Sequence, residues 1–141
     1  MFGVLETKVK KRNMGFVVGN TFSSWCFTSN IGWSRRGTNW LAWLQNEFQA
    51  YILEVSLQYI HRYARYMSSM CFHLTLVYGP DDDEERLSLW DNFARYGSRR
   101  AEPSVVFGDF NNITITNERV GGNVPTEANI KPFVHCAMDC G

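Results

Sequence analysis

The chain has 141 residues, of which 45% are hydrophobic and 15% aromatic, and its formal net charge is zero. Its length is in the range of one domain, and its apolar content excludes a disordered protein. A strongly basic footprint, the usual sign of a nucleic-acid-binding protein, is absent overall. The charge is nevertheless uneven, because residues 1–66 carry eight basic and three acidic side chains, and residues 67–141 carry six and eleven. The acidic half suits a divalent cation or an ordinary solvated surface equally well.

The amino-terminal segment argues against export and against membrane insertion. A short apolar stretch comes first, and the basic residues Lys8, Lys10, Lys11 and Arg12 follow it. This order is the reverse of the order in a secretory signal. No apolar run reaches the roughly 18 residues needed to cross a bilayer. We therefore expect an intracellular protein with no membrane partner.

The first half of the chain predicts several short strands. Apolar runs indicate strands at 2–5, 25–28 and 40–44, and residues 9–19 have weak helical character that two glycines interrupt. Between 48 and 66 the residue pattern is ambiguous. Phe48, Ile52, Val55 and Tyr59 recur at helical spacing, whereas the content of tyrosine, isoleucine and valine favours strands.

The second half gives clearer patterns. Alternating apolar residues predict a strand from Met70 to Tyr78, which Gly79-Pro80 ends. Asp81, Asp82 and Asp83 can begin a helix running to about Tyr96. A strand at 104–107, a loop through Gly121-Gly122 and a helix from about Thr126 follow. The predicted buried face of the first helix is Leu87, Trp90 and Phe93 or Ala94, and that of the second is Ile130, Phe133, Val134 and Ala137. This mixture of strands and helices predicts an α/β or α+β layered protein.

Gly108-Asp109-Phe110-Asn111 is the most informative stretch for chemistry. Because side chains alternate along a strand, we expect Asp109 and Asn111 to project the same way and Phe110 to enter the core. Polar groups at the carboxyl end of a strand lie where ligands bind in sheets of this class. An ordinary turn explains the same residues, since Gly, Asp and Asn all favour turns.

Glu6 and Tyr78 also end predicted strands. A carboxylate at such a position can be a ligand of Mg²⁺, which takes oxygen ligands and often only one or two carboxylates. A salt-bridge partner is the plainer interpretation of Glu6. Tyr78 is equally compatible with a core aromatic residue whose hydroxyl reaches water.

The cysteines and histidines indicate a functional site less clearly than Glu6, Tyr78 and the Gly108–Asn111 stretch do. Cys26, Cys71, Cys136 and Cys140 are scattered, and buried thiols are expected rather than disulfides in an intracellular chain. Cys136 and Cys140, with His135, could begin a zinc site, but the sequence has no second pair with metal-ligand spacing. His61 and His73 fall in predicted strands and are interpreted as structural.

The segments around Glu6, Tyr78 and Asp109, and the order in which they follow one another along the chain, resemble the endonuclease/exonuclease/phosphatase superfamily. The longer strings Gly3-Val-Leu-Glu-Thr-Lys-Val9 and Glu118-Arg-Val-Gly-Gly122 resemble the endonuclease domain of plant non-LTR (LINE-type) retrotransposons. The resemblance spans nearly the whole chain. It implies a four-layered α/β sandwich, with two face-to-face sheets and helices outside, and it favours strands between Phe48 and Tyr66.

The resemblance also implies a chemistry, namely Mg²⁺-dependent hydrolysis of a DNA phosphodiester in the nucleus. The glutamate matching Glu6 holds Mg²⁺, and the residues matching Tyr78 and Asn111 contact the scissile phosphate. The aspartate matching Asp109 orients or deprotonates the attacking water, or protonates the leaving oxygen.

The departures from the family pattern lead us to expect a partial domain over 1–141, incomplete at both ends. The first-strand asparagine, a further aspartate and the Ser-Asp-His motif have no match in the chain. We expect weak Mg²⁺ binding and a catalytically incomplete fragment. Two alternatives stay open: a non-catalytic remnant or interaction module, and the phosphatase branch of the same superfamily, which the longer strings do not favour.

Overall fold

The computed structural model describes residues 1–33, 39–97, 102–121 and 124–140. The described residues of Met1–Tyr78 and Glu102–Asp109 form one compact unit, and those of Gly79–Ala101 and Phe110–Gly141 form another. Gly122, part of the predicted glycine loop, lies outside the described residues.

The first unit begins with a small antiparallel sheet that one helix covers. Strands β1 (Phe2–Val4), β2 (Cys26–Ser29) and β3 (Trp40–Trp43) are arranged in the order β1-β3-β2. All four residues of β3 are buried, because this central strand is covered on both faces. Helix α1 (Lys11–Thr21) lies on one face, where its apolar residues pack against a buried cluster formed by Trp40 and Ala42 of β3 and by Phe22, which follows the helix.

A second sheet completes this unit. It contains β4 (Phe48–Val55), β5 (Tyr59–Tyr66), β6 (Met70–Tyr78) and β7 (Ser104–Asp109), in that order. The pairs β4–β5 and β5–β6 are antiparallel, and β7 runs parallel to β6. The strands that the resemblance favoured between 48 and 66 are therefore confirmed.

The two sheets pack face to face. Leu41 of β3 shares one buried cluster with Ile60, Leu74 and Leu76 of the second sheet. The approach is close at Gly3 in β1, where an added Cβ would lie 2.4 Å from Leu76 Cδ1. The predicted α/β sandwich is confirmed.

The second unit is built on α2 (Asp83–Gly97) and α3 (Glu127–Asp139). Asp82 Oδ1 accepts the backbone N–H groups of Glu84 and Glu85, at 2.9 and 3.0 Å, and so satisfies donors that the first turn of α2 leaves unpaired. Aromatic contacts join the helices: the rings of Trp90 and Phe133 are tilted by 38°, with centroids 4.8 Å apart. Within the described ranges, no helix is both long and apolar enough to span a bilayer.

The buried faces of both helices differ from the prediction. In α2 the buried residues are Arg86, Leu89, Trp90 and Phe93, whereas Leu87 is 48% exposed. A charged residue takes a place in the buried stripe because the Arg86 guanidinium donates to the backbone carbonyls of Pro80 and Asp81. A pattern that counts only apolar residues therefore misplaces the stripe. In α3, Ile130 is buried as predicted, but Ala137 is exposed and Cys136 takes the buried place.

Candidate functional site

Glu6 lies two residues after the end of β1 at Val4. Its backbone φ is 48°, in the left-handed region that non-glycine residues seldom adopt. About half of its side chain is exposed, and Lys8 Nζ lies 3.9 Å from Oε2. A strained, accessible carboxylate at a strand end is typical of functional positions, where the surrounding structure maintains the strain.

Tyr78 is the last residue of β6, and its hydroxyl donates to Glu6 Oε1 at 2.5 Å. These residues are 72 positions apart in sequence. A hydrogen bond to an ionised carboxylate is stronger than one between neutral groups. Two residues that sequence analysis selected separately therefore meet at the ends of strands from opposite sheets.

Asp109 is the last residue of β7 and is exposed. Because β6 and β7 are parallel, their carboxyl ends coincide, and Asp109 is the register partner of Tyr78. The preceding Gly108 has a φ of 138°, and an added Cβ there would lie 2.0 Å from the carbonyl oxygen of Val77. Glycine thus permits the close backbone approach that places Asp109 beside the strand carrying Tyr78.

Asn111 belongs to the second unit and is half-buried. Its Nδ2 donates to the carbonyl oxygen of Gly79 at 2.7 Å. The prediction that strand alternation carries Asp109 and Asn111 to the same side is wrong in its reasoning. Strand β7 ends at Asp109, and Asn111 has a φ of 47°. Phe110 was expected to enter the core; it is half-buried and lies against Phe133, with ring centroids 5.2 Å apart.

The histidines are placed by packing within the described structure. His61 is 1% exposed, and its Nδ1 lies 2.7 Å from Thr75 Oγ1. The His73 ring stacks on it with centroids 5.6 Å apart. The structural interpretation of both residues is confirmed. His135 is an exposed residue of α3.

All four cysteines are free thiols. Cys136 and Cys140 Sγ lie 3.9 Å apart and face α2, where they donate to the carbonyl oxygens of Trp90 and Phe93. Burial, followed by the neighbouring Cys140, raises the pKa of Cys136 to about 12. In the part of the chain that the structure describes, no three His, Cys, Asp or Glu side chains group as metal ligands.

A polar cleft in the second unit was missed from the sequence. Its volume is about 760 Å³, and its lining comes from three separate segments: the start of α2, the residues after β7 and the start of α3. Arg86 forms part of its wall; burial lowers the pKa of this guanidinium, while Asp81 and Asp82 act to raise it. The lining residues lie far apart in sequence, between positions 81 and 129, and only folding brings them together. No local sequence pattern could therefore have indicated the cleft.

Comparison with known proteins supports the fold. No protein-family model matches the sequence, and no curated protein matches it. Two solved structures of D. rerio TDP2 are similar to the chain. The first, a version humanized by 14 mutations, is 11% identical with a TM-score of 0.55, and the match covers 77% of this chain and 48% of that one. The second, complexed with a single-strand DNA product, is 11% identical with a TM-score of 0.50, and the match covers 77% and 46%.

These matches show that the chain shares its mixed α/β fold with TDP2. The chain spans about half the length of the structures that it matches.

Proposed function

We propose that residues 1–141 form part of one endonuclease/exonuclease/phosphatase domain, and that they carry the metal-binding and phosphate-binding part of a DNA endonuclease of the LINE type. The observation that supports this proposal most is the hydrogen bond from the Tyr78 hydroxyl to Glu6 at 2.5 Å. Asp109 is the register partner of that tyrosine. The family's order of chemical residues thus coincides with a physical cluster in the first unit.

The proposed roles follow the family pattern and the local chemistry. Glu6 supplies a carboxylate ligand for Mg²⁺. Tyr78 donates to a phosphate oxygen of the DNA when substrate is bound. By the family pattern, Asn111 supplies an amide donor to phosphate. Asp109 is exposed, so it can accept a proton from a water molecule or return one to the leaving oxygen.

The residues present fit Mg²⁺ with a small protein donor set. Glu6 offers oxygen lone pairs on a half-exposed carboxylate, and Mg²⁺ commonly uses one or two carboxylates together with water and substrate phosphate. When bound, Mg²⁺ neutralises charge that develops on the phosphate oxygens. Lys8, whose ammonium group lies 3.9 Å from Glu6 Oε2, competes with the ion for this carboxylate. We therefore propose weak binding that substrate strengthens.

Hydrolysis by these 141 residues alone is not part of the proposal. None of the three histidines occurs in a Ser-Asp-His sequence. His61 is buried and hydrogen-bonded to Thr75. A positioned general base contributes typically ~10²–10⁴-fold to rate. The Ser-Asp-His motif of the family pattern, which supplies part of that base, has no match in the sequence. We propose binding of DNA, in the nucleus, without turnover by this segment.

DNA binding tests the proposal directly. Fluorescence anisotropy of a labelled single-stranded oligonucleotide should show tighter binding with millimolar Mg²⁺ than with EDTA. Glu6→Gln should remove the Mg²⁺ effect, a loss of about tenfold, since a contact to a charged group contributes roughly 1.5–3 kcal/mol. Glu54→Gln is the matched control, because Glu54 Oε1 accepts the Tyr59 hydroxyl at the same distance of 2.5 Å.

Three outcomes of that titration would count against the proposal. A DNA affinity that changes neither with Mg²⁺ nor in Glu6→Gln would favour a non-catalytic interaction module. An equal loss of DNA affinity in Glu6→Gln and Glu54→Gln would mean that both tyrosine–glutamate pairs contribute only to folding. Tighter binding to phosphomonoesters than to DNA would favour the phosphatase branch.

Nicking of supercoiled plasmid provides the matching activity test. With millimolar Mg²⁺ the chain should show no nicking above background, and Asp109→Ala should change nothing, because the general base is incomplete. Nicking that both Asp109→Ala and Glu6→Ala abolish would overturn the claim that these residues do not hydrolyse DNA. Nicking that survives both substitutions would identify a contaminating nuclease.

A further inference from the structure

The proposed metal and phosphate chemistry uses one residue of the polar cleft in the second unit, Asn111, and leaves the rest of its lining without a role. The cleft has a volume of about 760 Å³, which is in the range of sites that hold small organic ligands. Charged residues from the start of α2 and from the segment after β7 line it together with apolar side chains, namely Ile113, Val124 and Pro125.

Several hydrogen bonds fix the wall of the cleft before any ligand arrives. Arg86 is 7% exposed, and it donates to the carbonyl oxygens of Pro80 and Asp81 at 2.7 and 2.9 Å. Asp83 accepts from Arg86 and from the side-chain amide of Asn129, so it joins α2 to α3. A preorganised wall reduces the entropy that binding costs.

Two charged groups in the cleft are not used by this network. The Asp81 carboxylate and the Arg119 guanidinium both line the cleft and are exposed. Among the described residues, neither side chain makes a hydrogen bond or a salt bridge. Both line the same cleft as the buried Arg86, so the cleft holds an anion and a cation that the wall network leaves available.

The charges of the lining decide between classes of ligand. Asp81 and Asp83 offset Arg86 and Arg119, so the lining has no net charge. A free phosphate would meet two carboxylates, and a divalent cation would meet two guanidinium groups. A neutral, planar ligand with a donor and an acceptor on one edge satisfies both unused groups, and its faces can contact the apolar side chains.

We propose that this cleft binds an unpaired nucleobase that bears an exocyclic amino group. Asp81 accepts a hydrogen bond from the amino group, and Arg119 donates to a ring nitrogen or carbonyl oxygen of the same base. These are the pairings by which carboxylates and arginine distinguish bases. Thymine has no amino group and is disfavoured. The inference rests on the proposed function for the DNA substrate, and it adds a preference for particular bases.

The test uses the whole chain and labelled oligothymidylates whose central position is thymine, cytosine, adenine or an abasic site. Central cytosine or adenine should bind about tenfold tighter than thymine or the abasic site, in keeping with the usual contribution of a base contact. Asp81→Ala and Arg119→Ala should each remove this preference. Arg95→Ala, which removes an arginine of α2 outside the cleft lining, should preserve it.

The outcomes separate this inference from the proposed function. Equal affinity for all four oligonucleotides would overturn the base site, even if Glu6→Gln still removes the Mg²⁺ effect. A uniform loss across all four in Arg119→Ala would overturn it as well, because that result identifies a contact to the DNA backbone. A retained base preference with no effect of Glu6→Gln would leave the base site standing and reject the metal site. Arg119 is exposed and unbonded, so its variant should fold.

Discussion

Left-handed backbone conformations occur at several residues that the sequence indicated for chemistry. Glu6 and Asn111 have φ angles of 48° and 47°, and Gly108, beside Asp109, has 138°. For a residue other than glycine this conformation costs on the order of 1–2 kcal/mol. At Glu6 the Tyr78 hydroxyl compensates, and at Asn111 the carbonyl oxygen of Gly79 does so.

Gly108→Ala should destabilise the protein by about 2–4 kcal/mol, because φ is positive and the new Cβ would meet the Val77 carbonyl oxygen at 2.0 Å. Gly15→Ala in α1 is the control: no atom lies within 4 Å of its added Cβ, and alanine should stabilise the helix by about 0.5–1 kcal/mol. Urea unfolding of both variants measures the difference. Equal stabilities would show that Gly108 is not needed for the close approach to β6.

Tyr78 and Asp109 end strands as predicted, because a polar residue that ends an apolar run is visible in the sequence. Glu6 was predicted to end a strand as well, but β1 ends two residues earlier, at Val4. Sequence analysis could not predict the backbone conformation of Asn111. Alternation holds only while the strand continues, and the strand ends two residues earlier, at Asp109. Whether these residues carry the proposed roles stays a prediction.

At the level of single elements, β4 and β5 explain why residues 48–66 were ambiguous. Strand β5 lies between β4 and β6 and is buried on both faces along most of its length, so it shows no alternation. Strand β4 is an edge strand with a register shift between Ile52 and Glu54, and it exposes Tyr51, Ile52 and Leu53 in succession. A period of two residues is lost in both cases, so residue content favoured strands, helical spacing favoured a helix, and the resemblance decided for strands.

The correction to α2 gives a direct stability test. Leu89→Ala should destabilise the protein by about 2–5 kcal/mol, because Leu89 is 0% exposed and its removal leaves a cavity. Leu87→Ala should cost about 1 kcal/mol or less, because half of that side chain already meets solvent. Thermal or urea unfolding distinguishes them. A larger loss for Leu87 than for Leu89 would restore the buried face that the sequence predicted.

At the scale of the whole molecule, the layered class was predictable and the polar cleft was not. Strand and helix patterns, together with the resemblance, led to the α/β sandwich that the TDP2 structures support at 11% identity. The cleft depends on residues 81, 119 and 129 meeting in space. Such long-range contacts leave no periodic trace in a single sequence.

Binding of Mn²⁺ as a paramagnetic stand-in for Mg²⁺ tests the central claim most directly. In two-dimensional NMR spectra of the labelled chain, substoichiometric Mn²⁺ should broaden the amide signals around Glu6, Tyr78 and Asp109 selectively. The Glu6→Gln variant should lose this broadening, and Glu54→Gln should keep it. Broadening centred on the acidic segment at 81–85, or unchanged broadening in Glu6→Gln, would contradict a metal and phosphate site at the ends of β1, β6 and β7.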